Sequence, residues 1–133
     1  MINKVNFISK AQAEKLLQET NGAFIATIDG KNINSWTEYW NTISTVFSFP
    51  DLPEYMKPDY HSYYDLMTDL SWIENRNIML IIDNANDFFK NNLSLKNDII
   101  KDFNEYLLPF WEKEIEYTQV NGQTKIFNVY LIV

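Results

Sequence analysis

The chain has 133 residues, 46% of them hydrophobic and 16% aromatic, and its 18 acidic and 11 basic residues give a net charge of −7. This composition excludes a disordered chain and predicts one folded domain over residues 1–133, large enough to bury an ordinary core. The chain has no cysteine, no signal-peptide core and no apolar run near the roughly 20 residues that span a bilayer, so we expect a cytoplasmic protein with no membrane partner.

The first 22 residues are predicted to add a helix to the main fold. Ser9 and Gln12 have the spacing of a capping box, in which each side chain bonds the backbone N–H of the other residue, and they open a helix over residues 9–20. Gly22 is placed to end that helix in a left-handed conformation. Residues 1–22 are therefore expected to form a helical addition on the surface.

Three apolar runs predict the sheet. Residues 23–28, 78–82 and 127–132 are short, rich in branched side chains and apolar on both faces, which is typical of strands that helices cover on both sides. An Asn-Gly pair at residues 121–122, preceded by the β-prone residues 115–120, predicts a hairpin that can add an edge strand.

Helices are predicted between these strands. A second capping box, Ser35 with Glu38, opens a helix over residues 36–47, and residues 94–108 form another that Pro109 ends or kinks. Strands that alternate with helices indicate an α/β fold with mostly parallel pairing and right-handed crossovers.

The stretch LPEYMKPDYHSYYDLMTDLSW, residues 52–72, contains the strongest functional signal. A helix is predicted to begin at Pro58, which suits a first helical turn, and to run to about residue 70. One face of this helix is apolar at spacings of three and four and is expected to be buried: Tyr63, Leu66, Met67 and Leu70. A different face carries polar residues spaced by four: His61, Asp65 and Asp69.

A search for catalytic chemistry finds little. The chain has no phosphate-binding glycine loop, no nucleophile elbow and no cluster of metal ligands, and His61 is its single histidine. The His61, Asp65 and Asp69 face could hold a weak divalent ion or an acid–base pair, or it could be a plain solvated helix face. We expect no enzymatic activity, no metal and no cofactor.

The acidic balance favours a basic partner, although acidity can also serve solubility alone. Basic residues are few and dispersed, so nucleic-acid binding is not expected. The LPEY motif, followed by a helix that bears Asp65 and by DLSW, resembles the barstar family of intracellular inhibitors of a secreted bacterial ribonuclease. A weaker resemblance extends from about Phe24 to the C-terminus, and it implies a three-stranded parallel sheet surrounded by helices.

The resemblance implies a binding surface on the loop and helix. Tyr55 matches the family's loop tyrosine, Asp65 matches the aspartate that enters the phosphate site of the ribonuclease, and Thr68 matches a flanking threonine. The implied partner is a basic ribonuclease or a nuclease-like toxin, because a rigidly held carboxylate can mimic a phosphate. We call the expected partner-binding set the loop–helix face; it consists of Tyr55, Asp59, His61, Asp65, Thr68 and Asp69.

Three residues depart from the family's pattern. Lys57 stands where the family usually has a glycine, Asp59 where it has an asparagine, and His61 where it often has a second aspartate. Two other functions stay open: an acidic interaction domain that binds a ribosome or chaperone, and a small enzyme that uses His61 and Asp65. The free protein is expected to be a monomer.

Overall fold

The computed structural model describes residues 3–113 and 124–133. In this part of the chain, one parallel sheet is flanked by helices. The strands are β1 (Val5–Ile8), β2 (Phe24–Asp29), β3 (Asn77–Asp83) and β4 (Ile126–Ile132), in the spatial order β1-β4-β3-β2. The helices are α1 (Lys10–Glu19), α2 (Trp36–Val46), α3 (Tyr60–Met67), α4 (Leu93–Asp102) and α5 (Leu108–Lys113).

Strand β3 lies in the interior of the sheet. Its neighbours are β2, where Phe24 pairs with Ile78, and β4, where Phe127 pairs with Ile78 from the other side. The five residues from Ile78 to Ile82 are all buried, so helices or loops cover both faces of the strand. The predicted strand at residues 78–82 and its central position are confirmed, as are the strands predicted near residues 23–28 and 127–132.

The prediction of three strands is wrong, because β1 adds a fourth. This strand pairs in parallel with β4, with Val5 opposite Val129, and it occupies one edge of the sheet. The predicted helical addition at residues 1–22 therefore begins with a strand. An edge strand buries little, and Phe7 in β1 is 63% exposed, so its sequence shows no continuous apolar run. The predicted hairpin strand at residues 115–120 lies outside the described residues.

The predicted helix starts are close to those observed. Ser9 Oγ accepts from the Gln12 N–H at 3.1 Å and Gln12 Oε1 accepts from the Ser9 N–H at 2.8 Å, which confirms the first capping box. Gly22 has a φ of 76° and lies two residues after the C-cap Thr20. At α2, Ser35 Oγ accepts from the Glu38 N–H as predicted, but Glu38 Oε1 accepts from the Asn34 N–H instead of the Ser35 N–H, so the second capping box is only half formed.

The predicted helix over residues 94–108 is divided in two. Helix α4 is followed by a turn of π helix, Phe103–Leu107, and then by α5, which contains Pro109. Proline has no N–H to donate four residues back, and the widened turn directly precedes it, with the Leu108 N–H donating to Phe103 O. A π turn therefore interrupts the α-helix just before Pro109, and the helix continues through Pro109 instead of ending there.

Candidate functional site

Helix α3 begins at Tyr60, two residues after the predicted start at Pro58, and it ends at Met67 and not near residue 70. Asp59 is its N-cap, with an extended backbone, and the Asp59 carboxylate accepts from the Ser62 N–H at 3.0 Å. This bond holds the pKa of Asp59 below its ordinary value. The Asp59 side chain thus has a structural role in starting the helix, whatever else it binds.

Hydrogen bonds from tryptophans fix both ends of α3. Trp36 Nε1 donates to the carbonyl of Pro58 at 2.8 Å, and Trp111 Nε1 donates to the carbonyl of Met67 at 2.8 Å. The predicted apolar stripe of Tyr63, Leu66, Met67 and Leu70 is buried in the core. Helix α3 is therefore held against α2 and α5, with its polar side toward solvent.

The exposed side of α3 carries an ion-pair geometry. His61 Nε2 lies 3.5 Å from Asp65 Oδ2, and the two side chains are 84% and 52% exposed. This pair becomes a salt bridge when the imidazole is protonated, and in water such an exposed pair contributes little to folding. Asp65 is therefore accessible to a partner.

A concavity of about 440 Å³ joins the loop to the helix. Its lining includes Tyr55, Asp59, His61 and Asp65, so the structure brings these four members of the loop–helix face together. Tyr55 is 85% exposed, which is unusual for a large aromatic side chain. Lys57 also lines the concavity and adds a positive charge to it.

The other two predicted residues lie beyond this concavity. Thr68 is the C-cap of α3, and its hydroxyl donates to the carbonyl of Tyr64 at 2.7 Å. Because the chain leaves the helix at Thr68, Asp69 does not continue the helical spacing from Asp65. Asp69 is half-buried, and its Oδ1 has no hydrogen-bond partner among the described residues.

A second concavity, which the sequence did not predict, lies against Tyr60 and Asp102. The Tyr60 hydroxyl donates to Asp102 Oδ1, and Asp102 is only 5% exposed. Burial raises the pKa of the Asp102 carboxyl, and the bond from Tyr60 partly opposes that rise. A signal was present: Asp102 lies three residues after buried Ile99, on the apolar side of α4.

Metal and membrane sites receive no support from the part of the chain that is described. Across residues 3–113 and 124–133, no group of three or more His, Cys, Asp or Glu side chains could hold a metal ion. The helices in the same residues are too short or too polar to cross a bilayer.

A comparison with protein families gives a match that is consistent with the α/β fold. The family model described as Barstar (barnase inhibitor) matches residues 23–121. The chain therefore belongs to the barstar family. The match begins at the residue before β2 and leaves β1, α1 and β4 outside it. The chain matches no curated protein and no solved structure.

Proposed function

We propose that the chain is an inhibitor of a basic ribonuclease, or of a toxin with a similar active site, and that it blocks the active site with the loop–helix face. The observation that carries the proposal is the presentation of Asp65. Its carboxylate is half exposed on a helix that tryptophans fix at both ends, beside the exposed ring of Tyr55. Family membership supports the same proposal, since the family's description names an inhibitor of barnase.

The chemistry of a ribonuclease favours this arrangement. An active site that binds an RNA phosphate is lined with positive charge, so a preorganised carboxylate can replace the phosphate and accept the same hydrogen bonds. The net charge of −7 would also steer the inhibitor toward a basic target. In this proposal the free chain is a monomer, acts on no substrate of its own and needs no metal or cofactor.

Two basic side chains adapt the face to its partner. Lys57 and His61 line the concavity together with Asp59 and Asp65, so the surface has mixed charge. A target with only basic groups would be repelled by Lys57. The proposed partner therefore offers a basic phosphate site with an acidic or carbonyl group at its border, where Lys57 can pair.

The test measures RNA cleavage by purified barnase, and by nucleases that the immobilised chain captures from the cells that make it. Asp65→Asn should weaken inhibition by a few kcal/mol of binding free energy, because it leaves a cationic group of the target unpaired. Glu14→Gln is the matched control, since it removes one negative charge from an exposed position on α1. Its effect should be small.

The outcomes separate the proposal from its rivals. Capture of a nuclease by the wild type, with loss of inhibition in Asp65→Asn and not in Glu14→Gln, supports it. Equal inhibition by wild type and Asp65→Asn, with both folded, contradicts the blocking mechanism. Capture of ribosomal or chaperone proteins without any nuclease would instead favour an acidic interaction domain.

A further inference from the structure

Asn3, which lies two residues before β1 and outside the family match, joins α5 to the start of β4. Its backbone N–H donates to Glu112 Oε1 at 2.9 Å, and its side-chain Nδ2 donates to the carbonyls of Leu108 at 3.1 Å and Lys125 at 2.9 Å. Its side-chain Oδ1 accepts from the N–H of Phe127 at 3.1 Å. These partners are 105 to 124 positions away in the sequence, so Asn3 holds together segments that are distant from it in the chain.

A second bond joins β1 to the π turn that precedes α5. The Val5 N–H donates to Asn104 Oδ1 at 3.1 Å, and Asn104 lies in that turn. Helix α5 is thus bonded to the N-terminal segment at Leu108 and Glu112, and the turn ahead of it is bonded at Asn104. We call Asn3, together with the bond between Val5 and Asn104, the N-terminal brace.

Trp111 connects the braced helix to the loop–helix face. It lies in α5 between Leu108 and Glu112, is fully buried, and its carbonyl accepts from the Lys125 N–H at 2.9 Å. Its indole Nε1 donates to the carbonyl of Met67 at 2.8 Å. Met67 is the last residue of α3, where carbonyls have no partner inside the helix, so Trp111 supplies the missing donor. The position of α5 against β4 therefore decides where the end of α3 lies.

We propose that the N-terminal brace positions the C-terminal end of α3 through Trp111, and that Asn3 is the positioning residue with the largest effect. Asp65 lies two residues before Met67 and Thr68 directly follows it, so that end of the helix carries both members of the loop–helix face. A side chain that is held in its binding position loses less freedom when a partner binds. That the face binds a nuclease rests on the proposed function, whereas the hold on α3 does not.

The alternative is that Asn3 stabilises the whole fold without acting on α3 in particular. Hydrogen exchange distinguishes the two, because it measures local and global opening separately. The indole N–H of Trp111 reports on its bond to Met67. The amide N–H of Leu80, a fully buried residue in the middle of β3, reports on global unfolding. Both are followed by NMR in the full chain under native conditions.

Asn3→Ala removes the three side-chain bonds of Asn3 and leaves its backbone bond to Glu112. The lost bonds no longer hold α5 against β4. Exchange at the Trp111 indole should therefore become at least about tenfold faster relative to exchange at Leu80.

Asn6→Ala is the matched control, because Asn6 is the same residue type in β1. Its side chain donates to the carbonyls of Lys4 at 3.1 Å and Val129 at 3.4 Å, away from α5, so the exchange ratio should change by less than about twofold. Asn104→Ala, at an exposed position, removes the other bond of the brace and should raise the ratio by about threefold. It tests the brace even if Asn3→Ala fails to fold, which a thermal melt checks.

A second measurement connects the brace to the loop–helix face. Inhibition of RNA cleavage by barnase is compared between the wild type and the two asparagine variants of the N-terminal segment. Asn3→Ala should weaken inhibition by at least about threefold, because α3 must then be ordered when barnase binds, and Asn6→Ala should weaken it by less than about twofold. A wild type that does not inhibit barnase contradicts inhibition of that nuclease, and the exchange ratio still decides the brace.

A rise in the exchange ratio in Asn3→Ala that Asn6→Ala does not share supports the proposal. The brace is overturned if exchange at Trp111 and Leu80 changes by the same factor in Asn3→Ala, or if Asn6→Ala raises the ratio as much. If Asn3→Ala does not fold, an unchanged ratio in Asn104→Ala overturns it. A raised ratio with unchanged inhibition of barnase supports the hold on α3 and overturns its role in the loop–helix face.

Discussion

The hydroxyl groups of Tyr39 and Tyr63 hydrogen-bond to each other at 2.7 Å inside the core and join α2 to α3. Both side chains are buried, at 0% and 1% exposure, so neither hydroxyl has access to solvent. Tyr63→Phe leaves the Tyr39 hydroxyl without this partner. We expect it to lower the free energy of unfolding by about 1–3 kcal/mol, measured by urea denaturation.

The double variant Tyr39→Phe with Tyr63→Phe is the control for that prediction. It removes both hydroxyls, so no buried polar group loses its partner. The double variant should therefore lower the free energy of unfolding by less than the sum of the decreases in the two single variants. A decrease equal to that sum would show that the two hydroxyls act independently.

Asp59 is expected to act on stability even without a partner. Asp59→Ala removes the cap of α3 and should lower the melting temperature by a few degrees, whereas Asp59→Ser keeps a capping oxygen and should melt near the wild type. The bond from the Ser62 N–H lowers the pKa of Asp59 in the folded state. Its stabilisation is therefore present above the unfolded pKa and is lost as the pH falls through the folded pKa. Equal losses in both variants would contradict the capping role.

The position of His61 beside Asp65 predicts how a fixed positive charge would affect partner binding. The imidazole Nε2 lies 3.5 Å from the carboxylate oxygen of Asp65, which the proposal uses. His61→Lys places a permanent positive charge beside that carboxylate, so affinity for a basic ribonuclease should fall, measured by inhibition assays. His61→Gln is the neutral control and should inhibit more strongly than His61→Lys. Equal inhibition by the two variants would argue against the role of Asp65.

Lys125 should make the fold more stable as the solution becomes alkaline. Its Nζ is buried, donates to the carbonyls of Ile73 at 2.9 Å and Asn75 at 2.7 Å, and lies 5.8 Å from the centroid of the Trp111 ring. Burial, and then the charge of Arg76, lowers its pKa. The unfolded chain binds more protons between the folded pKa and about 10.4, so stability rises with pH in that window.

Lys125→Met tests this assignment. It leaves the two carbonyls without their donor and should cost about 1–3 kcal/mol near neutral pH. It should also remove the rise in stability between neutral pH and about pH 10, above which the tyrosines begin to ionise. The urea midpoints of the wild type and of Lys125→Met are compared over that pH range. If stability rises with pH as much in the variant as in the wild type, a group other than Lys125 causes the rise.

The strand that the sequence predicts most clearly is β3, which is buried on both faces, whereas β2 was predicted from its apolar run although it lies at an edge of the sheet and leaves Ile25 41% exposed. Residues 78–82 form a continuous apolar run because β3 has a strand on each side and cover on both faces. Strand β1 was missed because it lies at an edge, alternates with Asn6 and exposes Phe7. Strand β1 forms by pairing with β4, and the local sequence of β1 does not indicate that pairing.

The sequence predicted the part of the candidate site that residues close together in the chain form. Tyr55, Asp59, His61 and Asp65 line one concavity, and their closeness follows from short spacing around the start of a helix. The concavity beside Asp102 needs α3 and α4 to meet, and Tyr60 and Asp102 are far apart in the sequence. The position of Asp102 on the apolar side of α4, three residues after Ile99, indicates its burial but does not indicate that Tyr60 is its hydrogen-bond partner.

The pairing of β1 with β4 has a consequence for synthesis on the ribosome. Val5 is translated well before Val129, so the two residues cannot pair until β4 has been made. Until then β1 has no strand to join, and β3 lacks one of its two neighbours. Contacts that close such long loops slow folding, so the sheet is completed only after β4 emerges. A nascent chain halted before residue 126 therefore leaves one edge of β3 unpaired and able to pair with other chains. We expect chaperones to bind the nascent chain most strongly at that stage.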